Sequence, residues 1–311
     1  MRFAVLLYVF LLSGCATDKV IEEISKEFVI PDDIQSVVNA AKRAEADGDL
    51  SSAMDAYEKA LEKNPKDLSA RWGIGSLYLR QGEIDKAGQQ YMGITREPFC
   101  MGNARTITEE VITGNDEADA LPEDSRVEKN AGVETKSDYL IEAEQKRYCS
   151  LSWNGLGIIA DIQGHYVMAE EAYKEALSLS EHESAVYNNY GYSLMMAHRY
   201  TEAEDILIKG YALAPESQRI RTNLALSKAW LGKYQDALET YSYTLKDPEA
   251  YNDVGYIAML KSDYEKAIEL FEKAINMSPV FYKKAAQNLD RAQRLEQEHR
   301  QAKSEPKQQD S

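Results

Sequence analysis

The chain has 311 residues and carries 52 acidic against 36 basic side chains, a formal charge of −16. That balance excludes nucleic acid as the expected partner, because such binding draws most of its affinity from cations on phosphates. It also opposes a protein that lies flat on an anionic bilayer.

The N-terminus opens with one cation, Arg2, followed by an apolar run from Phe3 to Leu12 and then Ser13, Gly14 and Cys15. A charged start, a short apolar core and small residues at a cleavage point are the order of a secretory signal. The apolar run is too short to cross a hydrocarbon core of about 30 Å as a helix. Leu12-Ser13-Gly14-Cys15 resembles the lipobox of bacterial lipoproteins. The resemblance implies cleavage before Cys15, acylation of its thiol and an anchor to a membrane; Ala16, where an acidic residue signals inner-membrane retention in enteric lipoproteins, points to the periplasmic face of the outer membrane. Residues 1–14 are then a signal peptide and 15–33 a tether.

From residue 34 the chain repeats. An Ala, a large side chain four residues on and a third, mostly small, residue three further recur at Ala53/Tyr57/Ala60, Ala87/Tyr91/Ile94, Ala169/Tyr173/Ala176, Ala203/Leu207/Gly210, Ala237/Tyr241/Thr244 and Ala267/Phe271/Ala274. The leading alanines are spaced 34, 82, 34, 34 and 30 residues apart, so one insertion of 48 and one shortened turn account for every departure from 34. Upstream lie Trp153, Leu156, Gly157 and Ala160, then Tyr187, Tyr190, Gly191 and Leu194, then Tyr251, Val254, Gly255 and Ala258. Spacings of three, four and seven put each set on one helix face. Gly82, Gly164 and Gly232 fall where a first helix must turn into a second; Pro65, Pro215 and Pro279 fall after the second. The pattern is that of the tetratricopeptide repeat. It predicts an all-α solenoid of about six helix-turn-helix repeats, two over 34–100 and four over 150–281, closed by a C-terminal capping helix over 282–300, with residues 301–311 a disordered tail. Gly155-Leu156-Gly157 is not expected to hold a nucleotide phosphate: no strand precedes it, and Gly157 sits where the repeat needs a small residue for packing.

Residues 101–149 interrupt the array. The stretch "TGNDEADALPEDSRVEKNAGVETKSD" is acidic, poor in large apolar residues and without period, and is expected to be a mobile insert. Cys100 ends the second repeat and Cys149 immediately precedes the third, two points that are neighbours in an uninterrupted array. A disulfide between them suits an oxidising compartment; the other possibility is two small buried apolar residues that never pair.

No catalytic, cofactor or metal constellation is expected. The four histidines, His165, His182, His198 and His299, lie at helix junctions or in the last helix, and the many carboxylates alternate with Lys on helix exteriors. What the repeat type implies is a protein partner held by the first helix of each unit, at repeat positions 5, 9 and 12. These are Asn154, Ile158 and Asp161; Asn188, Tyr192 and Met195; Thr222, Leu226 and Ala229; Asn252, Tyr256 and Met259. Position 6 adds Asn189, Asn223 and Asp253. A side-chain amide both donates and accepts, so an open asparagine ladder suits a partner's backbone. The same residues could instead bond the preceding repeat, with the tyrosines as packing.

The chain from about 150 to 290 resembles the TadD-type lipoproteins of tight-adherence (Flp) pilus assembly. The resemblance rests on "YNNYGYSLMMAHRYTEAEDIL", "RIRTNLALSKAWLGKYQDAL", the shortened step into "AYNDVGYIAML", and "AINMSPVFYKKAAQNL". It implies an outer-membrane scaffold or pilotin-like factor that engages a secretin or other pilus component, without enzymatic activity, and carries over one residue, Cys15. Repeats one and two match less well and the insert is no part of the pattern, which leaves open a type IV pilus pilotin-type or NlpI-type envelope adaptor.

Overall fold

A computed structural model describes residues 32–100, 136–241 and 248–304. Among them are thirteen α-helices, one 3-10 turn and no strand. The chain divides into two compact units, Met1–Tyr190 and Gly191–Ser311, the division falling inside one helix.

Unit 1 contains α1 (Asp32–Ala46), α2 (Leu50–Lys63), α3 (Leu68–Gln81), α4 (Ile84–Thr95), α5 (Lys136–Gln163), α6 (Tyr166–Leu179) and the start of α7 (Ser184–Met196). Each pair α1/α2, α3/α4 and α5/α6 packs as an antiparallel hairpin, and each hairpin stacks on the next through α2 on α3 and α4 on α5. Carboxylates start two of these helices: Asp49 accepts from the Ser52 N–H at 3.0 Å and Asp67 from the Ala70 N–H at 2.8 Å. Inside each hairpin one residue must adopt the left-handed conformation. Gly82 does so with φ 80°, bringing its N–H to the Leu79 carbonyl and the Glu83 N–H to the Tyr78 carbonyl.

The core of unit 1 is built from aromatics laid over glycines. Tyr57, Tyr91 and Tyr173 on the second helices are buried, as is Trp153 on α5. A methyl on Gly155 would stand 2.4 Å from the Tyr91 ring and one on Gly157 2.7 Å from the Tyr173 ring. The glycine pair in α5 is therefore where the second helices of two repeats press against a first helix.

One boundary differs from the sequence expectation. Residues 136–149, assigned to the insert, are the first half of α5, whose 28 residues are twice the length of α3. Extending an existing helix toward its N-terminus needs no new nucleus. The extension is tied down where it meets the array: the Tyr148 hydroxyl donates to Ser69 Oγ at 2.7 Å, and Arg147 pairs with Glu183 at 2.8 Å.

Unit 2 contains the end of α7, α8 (Tyr200–Leu213), α9 (Gln218–Trp230), α10 (Tyr234–Tyr241), α11 (Pro248–Leu260), α12 (Tyr264–Met277) and α13 (Lys283–Ser304). Here α8 packs on α9, α9 on α10, α11 on α12, and α13 closes against both α11 and α12. The turn glycine recurs at Gly232, φ 81°, while His198 and Ser262 take the same left-handed conformation with φ 61° and 63°. A β-carbon there costs on the order of 1–2 kcal/mol, which the surrounding helix pair must offset. The core gathers Val254, Ala258, Leu270 and Phe271, and α13 covers it with Ala292, Leu289 and Leu295. This last helix runs to Ser304, past the expected end at 300 and into the stretch expected to be tail.

Candidate functional site

The first helices of successive repeats carry the residues singled out for partner binding. Successive residues turn by about 100° around a helix axis. Measured from position 9, position 5 lies about 40° to one side and position 12 about 60° to the same side, whereas position 13 lies about 40° to the other. Positions 5 and 12 should therefore share a fate that position 13 escapes.

In unit 1, Asn154, Asn188 and Asn189 are all buried. The Asn189 amide donates to Asn154 Oδ1 at 3.0 Å, and the Asn188 amide donates to Asn189 Oδ1 at 3.2 Å. Asp161, at position 12 of α5, accepts the Tyr173 hydroxyl at 2.7 Å, and Ile158 is buried. Unit 2 repeats the arrangement. Asn252 is fully buried, donates to Asp253 Oδ1 at 3.1 Å and accepts from the Asn288 amide at 2.9 Å. Asn223, Met195 and Met259 are buried as well. The open asparagine ladder is corrected on this point: these amides join one first helix to the next, because position 5 faces the helix that follows and position 6, on the other side of position 9, faces the one before.

What remains outward is apolar. Tyr192 and Leu226, at position 9, are half-buried, and Tyr256 is 37% exposed. Four residues further along the same helices stand Met196, 40% exposed, Trp230, half-buried, and Leu260, 47% exposed. Position 13 was not among the positions singled out. Its signal is in the sequence nonetheless: Ile162, Met196, Trp230 and Leu260 recur at 34, 34 and 30 residues, all large and apolar at the polar end of an amphipathic helix. Trp230 is braced by Tyr200, whose ring stacks on the indole at 4.9 Å and 4°. Lys261 donates to the Trp230 carbonyl at 2.5 Å.

Cys100 and Cys149 are bonded as a disulfide, Cα atoms 5.3 Å apart, in a fully buried cluster with Ile94 that Leu68, Trp72 and Leu179 pack against. Closing a sequence separation of 49 stabilises by about 4 kcal/mol in the chain-entropy account. Cys15 and the stretch 101–135 lie outside the described residues.

Burial pushes Glu45 above the usual carboxylate range against the pull of the Tyr57 hydroxyl and Arg80, and burial likewise raises Glu144. Burial, aided by the Asp263 carboxylate, pushes Tyr234 up to about 12. Among the described residues no group of three or more His, Cys, Asp or Glu is arranged to hold a metal ion. A depression of about 360 Å³ in unit 2 is bordered by Lys233, Lys266 and Lys273, and those ammonium groups are engaged by Glu204 and Glu269.

Tetratricopeptide-repeat family profiles match residues 38–94 and 248–281. These are tetratricopeptide repeats. The helix pairs between the two matches follow the same helix-turn-helix design, so the fold class of the described residues is that of a TPR solenoid. The peroxisomal targeting signal receptor of Candida albicans is 26% identical over 198 residues, covering 60% of this chain and 31% of the receptor. The chain thus spans about a third of that relative's length. Among solved structures, the APC/C hetero-tetramer Cut9–Hcn1 aligns with a TM-score of 0.53 at 15% identity, over 89% of this chain and 46% of that one. A structure from a functional characterization of Pseudomonas aeruginosa pilF aligns with a TM-score of 0.49 at 13% identity, over 84% and 96%. At these identities the likeness is one of fold.

Proposed function

We propose that this TPR protein is a lipid-anchored scaffold on the periplasmic face of the outer membrane that holds a protein segment during assembly of Flp pili, the segment belonging to the secretin or to neighbouring pilus machinery. The observation that carries the binding role is the set of exposed apolar side chains Met196, Tyr256 and Leu260 at positions 9 and 13 of the first helices of unit 2. Large exposed apolar groups at regular intervals on neighbouring helices are what a partner segment requires. Two further features support the setting. The Leu12–Cys15 lipobox implies acylation, and a buried disulfide between Cys100 and Cys149 suits an oxidising compartment outside the cytoplasm. The resemblance of residues 150–290 to TadD-type lipoproteins supplies the pilus.

A strain lacking the gene should lose its surface fibres, and its secretin should become unstable or mislocalised, with cell-wall growth unchanged. Normal fibres in that strain would remove the pilus reading. Metabolic labelling with palmitate tests the anchor separately: the wild-type protein should incorporate label and Cys15→Ala should not.

A further inference from the structure

Pro65, Pro215 and Pro279 each follow the second helix of a repeat, and the turn after Pro279 breaks a rule that the other two keep. After Pro65 come Lys66 and Asp67, and after Pro215 come Glu216 and Ser217. Asp67 and Ser217 cap the next helix, accepting from the Ala70 and Ile220 N–H groups. After Pro279 stand Val280, Phe281 and Tyr282, none with a side chain of capping type. Packing does not account for them. Val280 is 73% exposed and Phe281 78%, and among the large apolar side chains of the described residues only Val167, also at 73%, is as free.

Charge breaks the pattern at the same place. α8, α10, α11 and α12 each carry a carboxylate in their first turn, whereas α13 begins with Lys283 and Lys284 and has none. Cations at a helix N-terminus oppose its dipole. Lys284 reaches Asp253 at 3.4 Å, but Lys283 is exposed and makes no ion pair among the described residues. From Lys273 to Leu289 the sequence contains no acidic residue at all. The turn is nonetheless held in shape: Ser278 Oγ donates to the Val280 carbonyl at 2.7 Å, and the Ala286 N–H to the Tyr282 carbonyl at 3.1 Å. An ordered turn that gives up its cap, its dipole match and the shelter of two large apolar groups is where a function is to be sought.

Size decides the occupant. A specific protein interface takes about 800 Å² from each partner, whereas a Phe side chain offers about 150–250 Å². The exposed side chains around the tip, Asn276, Lys283 and Lys284, are polar and do not extend an apolar patch. A bilayer needs no shaped counterpart: it yields around a protruding apolar pair, and a neighbouring lysine reaches the phosphates on its flexible stem. A tip also resolves the problem of net charge. The whole chain at −16 is repelled when flat on an anionic surface, but the stretch from Lys273 to Leu289 brings no carboxylate to it.

We propose that the turn from Pro279 to Lys283 is a membrane-contacting tip, Val280 and Phe281 entering the interfacial layer of a phospholipid bilayer and Lys283 meeting its phosphates. The inference rests on the anchored reading above only for bringing the chain to a bilayer. The test removes that dependence by holding the full chain, through a C-terminal histidine tag, on phosphatidylethanolamine–phosphatidylglycerol vesicles that contain nickel-chelating lipid. Val280→Cys is labelled with a thiol-reactive fluorophore that brightens out of water, Val167→Cys serves as the control of equal exposure, and the wild-type chain treated alike supplies the blank. The label at 280 should brighten about threefold on vesicles and be quenched by spin-labelled lipid, while the label at 167 stays as in water. Adding Phe281→Glu should abolish the change, and adding Lys283→Glu should reduce it on these vesicles more than on phosphatidylcholine. Circular dichroism establishes that each variant is folded. Equal behaviour at 280 and 167, or indifference to Phe281→Glu, overturns the proposal. A change that needs no lipid and grows with protein concentration assigns the tip to a second copy of the chain and also overturns it. The two readings fail separately. Palmitate incorporation at Cys15 with a label at 280 that stays in water keeps the anchor and removes the tip; a lipid-dependent label with no palmitate keeps the tip and removes the anchor.

Discussion

Gly155 and Gly93 occupy equally helical backbone, yet the residue a β-carbon would meet differs completely. At Gly155 it would stand 2.4 Å from the ring of Tyr91, a buried side chain with no room to swing aside. At Gly93, exposed on α4, nothing lies within 4 Å. Alanine is the better helix former at both sites by up to about 1 kcal/mol. At Gly155 that gain is outweighed by overpacking, which typically costs about 1–3 kcal/mol. Gly155→Ala should therefore lower the free energy of unfolding in urea by roughly 1–2 kcal/mol net, and Gly93→Ala should raise it by about 0.5–1 kcal/mol. A stabilising Gly155→Ala would mean the aromatic does not press on this helix. The run Gly-Leu-Gly is legible as packing in the sequence because no strand precedes it, but which aromatic each glycine admits is not: Tyr91 belongs to the preceding repeat and Tyr173 to the same one.

At the scale of elements, the asparagine clasp sets how one repeat registers on the next. Asn154 and Asn189, 35 residues apart, meet at 3.0 Å, and Asn252 and Asn288, 36 apart, meet at 2.9 Å. The capping helix α13 thus presents Asn288 to α11 much as α7 presents Asn189 to α5, standing in for the first helix of a further repeat. Removing one partner leaves a buried amide unsatisfied, a penalty of about 1–3 kcal/mol, whereas replacing both with apolar residues of similar size should be milder. Asn189→Ala is expected to destabilise by that amount. The double variant Asn154→Leu/Asn189→Leu should lose less than the two single leucine changes added together, as read by a double-mutant cycle in chemical denaturation. Strict additivity would deny the bond. Asparagines at positions 5 and 6 are visible in the sequence, and the spacing of 35 hints at a pair. Deciding between a pair and an open ladder requires knowing how closely the helices on either side of position 9 approach.

For the molecule as a whole, stability is passed between neighbouring repeats, so the last repeat depends on what covers it. In unit 2 that cover is α13, whose Ala292, Leu289 and Leu295 lie over the core built from Val254, Leu270 and Phe271. A chain ending at Ser278 should lose amide hydrogen-exchange protection in α11 and α12 while α1 to α6 retain theirs. Undiminished protection in α12 would mean that the terminal helix is dispensable.

Taken alone, the amino-acid sequence determined the class of helix pairs, their period, the interruption after Cys100 and the need for a terminal cap. Those are set by local periodicity and by the alternation of small and large side chains, which every copy of the repeat states again. Only the tertiary structure decided that α5 begins at Lys136, that Cys100 and Cys149 are joined, and that Ile162, Met196 and Leu260 at position 13 are left exposed while Asn154, Asn188 and Asn252 at position 5 are enclosed. A helix has no intrinsic outside: its faces acquire their roles from the helices that come to rest against them.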